Sequence, residues 1–188
     1  MLTINVVSGI IKGLKLNSDK SEVLRPTKER IKKSIFDILG TEICEKTFLD
    51  LFGGTGQVGI EAFSCGAKKV IIVEAKKDHF NIIKKNISKI KINHEIEIIN
   101  QDALKFLGNN KTPIDIAFLD PPYEETELLE NSLRILDKSM NKSGIIITET
   151  LSSQNIQNNL KNFSLKKQYK YGNIALHIYT CEDVDQII

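Results

Sequence analysis

The chain has 188 residues, enough for one domain with a substantial buried core and a small appendage. Hydrophobic residues make up 41% and charged residues 27%, which excludes a disordered or fibrous protein. The formal charge is only +2, so the total identifies no nucleic-acid binder and its distribution matters more.

No apolar run approaches the roughly 20 residues of a membrane span. Met1-Leu2-Thr3-Ile4-Asn5 lacks the basic and apolar regions of a signal peptide. Cys44, Cys65 and Cys181 lie too far apart in sequence for a metal knuckle. They read as buried thiols in a reducing compartment. The expected protein is cytoplasmic, free of membranes and without a metal site.

Residues 1–46 form a basic extension. Thr3 to Val7 alternates like a strand, Gly9 and Gly13 flank a turn, and Leu14-Lys15-Leu16 returns. Pro26 then opens an amphipathic helix with Ile31, Ile35, Ile38 and Leu39 on one face and Gly40 as its stop. From Lys12 to Lys33, eight basic residues (Lys12, Lys15, Lys20, Arg25, Lys28, Arg30, Lys32, Lys33) face three acids. This stretch suits either a solvated helix face or a surface for phosphates.

Residues 47–188 alternate strands and helices. Strands are expected at Thr47–Phe52, Lys69–Glu74, Glu95–Asn100, Ile114–Asp120 and Gly144–Thr150. Helices fall near Gln57–Ser64, Lys76–Ile92 and Glu125–Leu136. Such alternation predicts a doubly wound, mostly parallel α/β sheet. Phe163–Tyr171 and Ile174–Cys181, joined at Gly172-Asn173, predict a terminal antiparallel hairpin.

Gly54-Thr55-Gly56-Gln57-Val58-Gly59 follows the first of these strands and matches G-x-G-x-x-G, so a nicotinamide enzyme is one reading. Glu74, twenty residues beyond Gly54, ends the next strand, where a carboxylate can accept the ribose hydroxyls of an adenosine. That suits NAD and S-adenosylmethionine alike. Asp50, just before the loop, would repel a pyrophosphate and attract an ammonium or sulfonium. Asp102 could reach an adenine amine or simply cap a helix at Ala103–Leu107.

Asp120-Pro121-Pro122-Tyr123 follows an apolar strand, and its prolines fix a rigid turn. The Asp120 carboxylate and Pro121 carbonyl are two acceptors for the N–H groups of an exocyclic base amine, and Tyr123 can stack on the base. Two of the chain's four prolines sit here, which argues against an ordinary turn. His79 and His94 read as surface residues and His177 as a hairpin residue. Tyr169, Tyr171 and Tyr179 read as packing on the sheet, with Tyr171 also able to stack a base.

With these motifs, the chain resembles the bacterial small-subunit (16S) ribosomal RNA guanine-N2 methyltransferases of the RsmD type, within the class I methyltransferases. Carrying the resemblance are Val7-Ser8-Gly9 to Leu16, Leu24-Arg25-Pro26-Thr27 leading into Arg30 and Phe36, the loop with Gly59-Ile60-Glu61-Ala62, the Asp-Pro-Pro-Tyr turn, and Gly172-Asn173-Ile174-Ala175 with Tyr179. It implies a Rossmann-like seven-stranded sheet whose last strand is antiparallel. It also implies S-adenosylmethionine held by Asp50, Phe52, Gly53, Gly54, Gly56, Glu74 and Asp102, with chemistry at Asp120, Pro121, Pro122 and Tyr123.

The implied substrate is a guanine of small-subunit RNA in an assembled or assembling particle. Arg25, Thr27, Lys28 and Arg30 are then expected at the RNA, with adjacent ribosomal proteins as further partners and the enzyme a monomer. Arg25 and Arg30 are two of only three arginines, both at the start of the helix. An adenine-N6 methyltransferase acting on DNA or RNA, and a catalytically silent RNA-binding scaffold, are the competing readings.

Overall fold

Five apolar runs end up side by side because both faces of their sheet are covered by helices. The computed structural model describes residues 2–18, 26–91, 94–156 and 160–181. Arg25 lies outside them, as do the side chains of Thr27 and Lys28. In chain order the elements are β1 (Leu2–Asn5), β2 (Lys15–Ser18), α1 (Pro26–Leu39), a 3-10 turn (Gly40–Ile43), β3 (Thr47–Asp50) and α2 (Gln57–Ser64). Then come β4 (Lys69–Val73), α3 (Lys77–Ile87), β5 (Ile96–Ile99), α4 (Ala103–Asn109), β6 (Ile116–Leu119) and α5 (Thr126–Ser139). The chain closes with β7 (Ile145–Leu151), β8 (Phe163–Tyr171) and β9 (Ile174–Cys181).

Among the described residues, seven strands form one sheet in the order β5-β4-β3-β6-β7-β9-β8. The first five run parallel, and β9 is antiparallel to both β7 and β8. This is the doubly wound sheet with a terminal hairpin that the alternation predicts. One deviation is the third helix, which stops at Ile87 rather than running to Ile92. No helix among the described residues is long and apolar enough to cross a membrane.

Side chains alternate between two cores. Phe48, Ile72, Phe118 and Ile147 share a cluster with Ile31 and Ile35 of α1, Ile60 of α2 and Ile83 of α3. Leu49, Ile71, Ala117 and Ile146 share the opposite one with Phe106 of α4 and Leu133 and Leu136 of α5. A residue's place along its strand therefore decides which helical layer it faces.

The basic extension is fastened to the sheet by one buried carboxylate. Glu61 of α2 is 0% exposed and accepts the backbone N–H of Val7 at 3.0 Å and of Ser8 at 2.6 Å. Lys32 of α1 lies 3.0 Å from Glu61 Oε2 and donates to the Asn5 carbonyl at 3.0 Å. Lys32 is only 4% exposed, so it cannot belong to a phosphate-facing surface. It neutralises a charge that would otherwise be stranded. Gly9 completes the join: at φ +77° it lies so close to Ser64 that an added Cβ would sit 1.8 Å from that carbonyl oxygen.

The expectation of buried thiols needs correction: Cys44 is exposed, Cys65 and Cys181 are half-buried, and all three are free. Burial, with the Glu61 carboxylate adding to it, pushes the Cys65 thiol up to about 11. Tyr179 is fully buried, whereas Tyr169 and Tyr171 pack half-buried against the core.

His177 of β9 is 1% exposed, with Nε2 2.9 Å from Thr150 Oγ1 and Nδ1 3.4 Å from Gln168 Nε2. Because the Thr150 hydroxyl donates to the Leu151 carbonyl, the arrangement suits a neutral ring that donates from Nε2 and accepts at Nδ1. Burial, with the Lys170 ammonium adding to it, pushes its pKa from 6.5 down to about 4. The unfolded chain thus takes up a proton that the fold refuses, so stability is full above about pH 6.5 and falls toward pH 4. At about 1.4 kcal/mol per pH unit, this amounts to about 3 kcal/mol. Urea denaturation at pH 7.5 and 4.5 should show a smaller acid loss in His177→Gln than in the unsubstituted protein.

Candidate functional site

Four adjacent strands, β4, β3, β6 and β7, each carry or lead into a carboxylate toward the same end of the sheet. Asp50, Glu74, Asp120 and Glu149 stand two residues beyond Phe48, Ile72, Phe118 and Ile147 respectively. Strand periodicity turns all four toward the layer of α1, α2 and α3. They border a cleft of about 530 Å³ at the carboxyl ends of the parallel strands. The strand order reverses beside β3, the place where open α/β sheets hold ligands.

The glycine loop forms one wall. Gly54 and Gly56 have φ of +53° and +83°, a region glycine enters without steric penalty. Gly53 donates to the Val73 carbonyl at 2.8 Å, and a Cβ there would lie 2.4 Å from Ile72 Cγ2. Phe52, Gly53 and Gly54 line the cleft, whereas Gly56 does not. Gly56 instead turns the chain into α2, where an added Cβ would meet Ile83 at 3.3 Å. Gly59 brings its backbone N–H within 2.9 Å of Asp50 Oδ2, holding that 1% exposed carboxylate at the loop's base.

Glu74 bridges two turns, accepting from Gly54 N at 2.8 Å and Lys76 N at 2.6 Å. The Asn100 side chain donates to the Glu74 and Ala75 carbonyls, tying the ends of β4 and β5 together. Asp102 borders the cleft and caps α4, accepting from Lys105 N at 2.9 Å. Capping therefore accounts for one of its oxygens without removing it from the site. His79, expected at the surface, lies in the cleft wall with Nδ1 3.9 Å from Glu74 Oε2. His94 is 79% exposed.

The Asp-Pro-Pro-Tyr turn forms the opposite wall. Asp120, Pro121, Pro122 and Tyr123 all border the cleft. The turn closes through Glu125 N to the Pro122 carbonyl at 2.9 Å. Gln154 donates to the Tyr123 carbonyl at 2.6 Å, and the Tyr123 hydroxyl donates to Glu149 Oε1 at 3.1 Å. Seven carboxylates border the cleft against two lysines, and one of these, Lys32, is paired with Glu61. Such a field suits a cationic ligand and opposes a pyrophosphate.

Several functional positions escape the sequence reasoning. Glu149 lies within β7, two residues before its end and just after the apolar run Ile145–Ile147, so an acid following an apolar run was the available signal. Asn86 is fully buried: its side chain donates to the Asn17 and Thr55 carbonyls and accepts from Asn17 N, joining β2 to the glycine loop. Nothing local marks it. Arg30 does not reach the cleft wall; its guanidinium lies 5.8 Å from the centre of the Tyr171 ring.

The family described as conserved hypothetical protein 95 matches residues 4–180. Ribosomal RNA small subunit methyltransferase D of Haemophilus influenzae is 34% identical over 181 residues, 94% of this chain and 93% of that one. The protein of the same name in Escherichia coli is 29% identical, covering 95% and 90%. The solved structure of the yhhF protein of Escherichia coli aligns with a TM-score of 0.85 at 26% identity, covering 96% of this chain and 98% of that one. The chain therefore belongs to the conserved hypothetical protein 95 family, that of the RsmD-type ribosomal RNA methyltransferases its motifs resemble.

Proposed function

We propose that this protein transfers a methyl group from S-adenosylmethionine to the exocyclic N2 amine of a guanine in small-subunit ribosomal RNA, within an assembled or assembling particle in the cytoplasm. The observation that carries this reading is the meeting, in one acidic cleft, of the glycine loop with Asp50 and Glu74 and the Asp-Pro-Pro-Tyr turn. Kinship with proteins named for small-subunit RNA methylation supports the substrate class.

Asp50, Phe52, Gly53, Gly54, Glu74 and Asp102 would hold S-adenosylmethionine, which when bound supplies a methyl group already activated by its sulfonium. Asp50 attracts cationic groups, and Glu74 offers acceptors to ribose hydroxyls. The left-handed glycines keep the backbone bare so that a ligand can lie against it.

Asp120 and the Pro121 carbonyl accept the two N–H groups of the target amine, while Tyr123 stacks on the base. An aromatic amine is a poor nucleophile because its lone pair is spread into the ring. Hydrogen bonds to both N–H groups favour a pyramidal nitrogen with a directed lone pair. Positive charge then grows on nitrogen beside the Asp120 carboxylate, which is already in place. That carboxylate also stands ready to accept the proton the amine sheds. The helix start carrying Thr27, Lys28 and Arg30, preceded by Arg25, serves as the RNA contact, with Lys33 exposed on the same helix.

The test offers radiolabelled S-adenosylmethionine with undermethylated small subunits, naked ribosomal RNA and duplex DNA in parallel, then digests the product to nucleosides. Labelled N2-methylguanosine from the particle is expected. Label on adenine, or on DNA alone, would replace this reading with the adenine-N6 one.

A further inference from the structure

The chemistry above uses Asp50, Glu74 and Asp120 and leaves the fourth carboxylate of the row, Glu149, without a task. Glu149 is 5% exposed within β7, two residues before its end, and borders the cleft. A carboxylate withdrawn from water costs free energy that an apolar residue there would avoid. Its position relative to Asp120 is set by the sheet. Leu119 pairs with Thr148 in parallel register, so Asp120 and Glu149 are the next residues along two neighbouring strands, which lie about 4.8 Å apart. Phe118 and Ile147 share one core cluster, and both acids therefore turn to the same side. The Tyr123 hydroxyl, 3.1 Å from Glu149 Oε1, holds that carboxylate at the edge of the ring expected to carry the base.

A base stacked on Tyr123 with its amine at Asp120 presents the neighbouring atom of its edge toward Glu149. In guanine the atom between N2 and O6 is N1, which carries a proton and donates. In adenine the Watson–Crick neighbour of the N6 amine is an N1 lone pair, and in cytosine the neighbour of N4 is an N3 lone pair. An ionised carboxylate only accepts. It pairs with guanine and faces a lone pair in the other two.

Resting on the methyl-transfer reading above, we propose that Glu149 is a base-reading residue: its carboxylate accepts the guanine N1–H and makes the site specific for guanine over other amino-bearing bases. Asp120 and Glu149 then divide the guanine edge, one taking the reacting amine and the other the adjacent imino proton.

The decisive probe is 2-aminopurine, which keeps the amine at C2 but has a lone pair at N1. Small subunits are reconstituted with RNA carrying either guanine or 2-aminopurine at the position mapped by the nucleoside assay, and kcat/KM for methyl transfer is compared. The unsubstituted enzyme should prefer guanine by about 10–100-fold. Glu149→Gln, whose amide can donate to the N1 lone pair of 2-aminopurine or accept from guanine, should bring the ratio close to one.

If Glu149 only props Tyr123, Glu149→Gln will slow both substrates by the same factor and leave the ratio unchanged, which overturns the proposal. Equal use of guanine and 2-aminopurine by the unsubstituted enzyme overturns it with no variant at all, so the test survives a Glu149→Gln protein that fails to fold. Absence of N2-methylguanosine from the unsubstituted reaction would reject the parent reading as well, and is distinguishable from either result.

Discussion

Replacement of Asp120 by alanine is expected to lower the single-turnover rate of methyl transfer by about 10³-fold while leaving S-adenosylmethionine affinity within a few-fold. The reasoning is differential. In the proposed reaction Asp120 meets a neutral amine in the ground state and a nitrogen gaining positive charge in the transition state, so its loss falls on the rate rather than on binding. The residues proposed to hold the cofactor belong mainly to other strand ends: Asp50 closes β3, and Glu74 follows β4. Rapid-quench kinetics with calorimetric titration of the cofactor would measure both quantities. Loss of cofactor binding together with activity would move Asp120 from the amine to the cofactor pocket.

Glu61→Ala should be the most damaging substitution outside the cleft, lowering stability by about 3–5 kcal/mol. It leaves the ammonium of Lys32, only 4% exposed, without its carboxylate and takes the acceptor from the N–H groups of Val7 and Ser8. For a domain of this size the loss corresponds to roughly 6–20 °C in melting temperature. Lys32→Met with Glu61→Leu should recover part of it, because removing both charges is cheaper than stranding one. A double variant no more stable than Glu61→Ala would show that the backbone N–H groups, rather than the ion pair, set the cost. Limited proteolysis adds a second readout: Glu61→Ala should expose the first 18 residues to cleavage before the sheet unfolds.

The Asp-Pro-Pro-Tyr motif and most of the fold are legible because they depend on residues adjacent in the chain. Apolar runs such as Ile116–Leu119 read as buried strands, and each closes at a residue whose side chain differs sharply from those before it. The paired prolines after Asp120 and the left-handed glycines at Gly54 and Gly56 impose backbone geometry that needs no distant partner. The hairpin β8–β9 announces itself in two extended runs joined by Gly172, at φ +63°.

Lys32 was misplaced because a lysine in a basic stretch looks solvated until Glu61, 29 residues later, is brought against it. His79 was placed at the surface for the same reason: its position five residues after Glu74, in the first turn of α3, becomes a cleft wall only once that helix packs beside the glycine loop. Gly56 stands off the cleft wall, because a motif of this kind holds both glycines that can face a ligand and glycines that turn the chain.

By itself, then, the sequence determined the strand-helix alternation, the glycine loop, the Asp-Pro-Pro-Tyr turn and the kind of chemistry these permit. Each is a property of neighbours in the chain. The tertiary structure alone decided that β7 lies beside β6, that Glu149 therefore joins Asp120 in one cleft, that Asn86 steadies the glycine loop, and that Glu61 buries Lys32 while fastening the extension. Those relations join residues some 30 positions apart. Strand order and helix packing set them, since only the burial of both sheet faces selects which distant side chains meet.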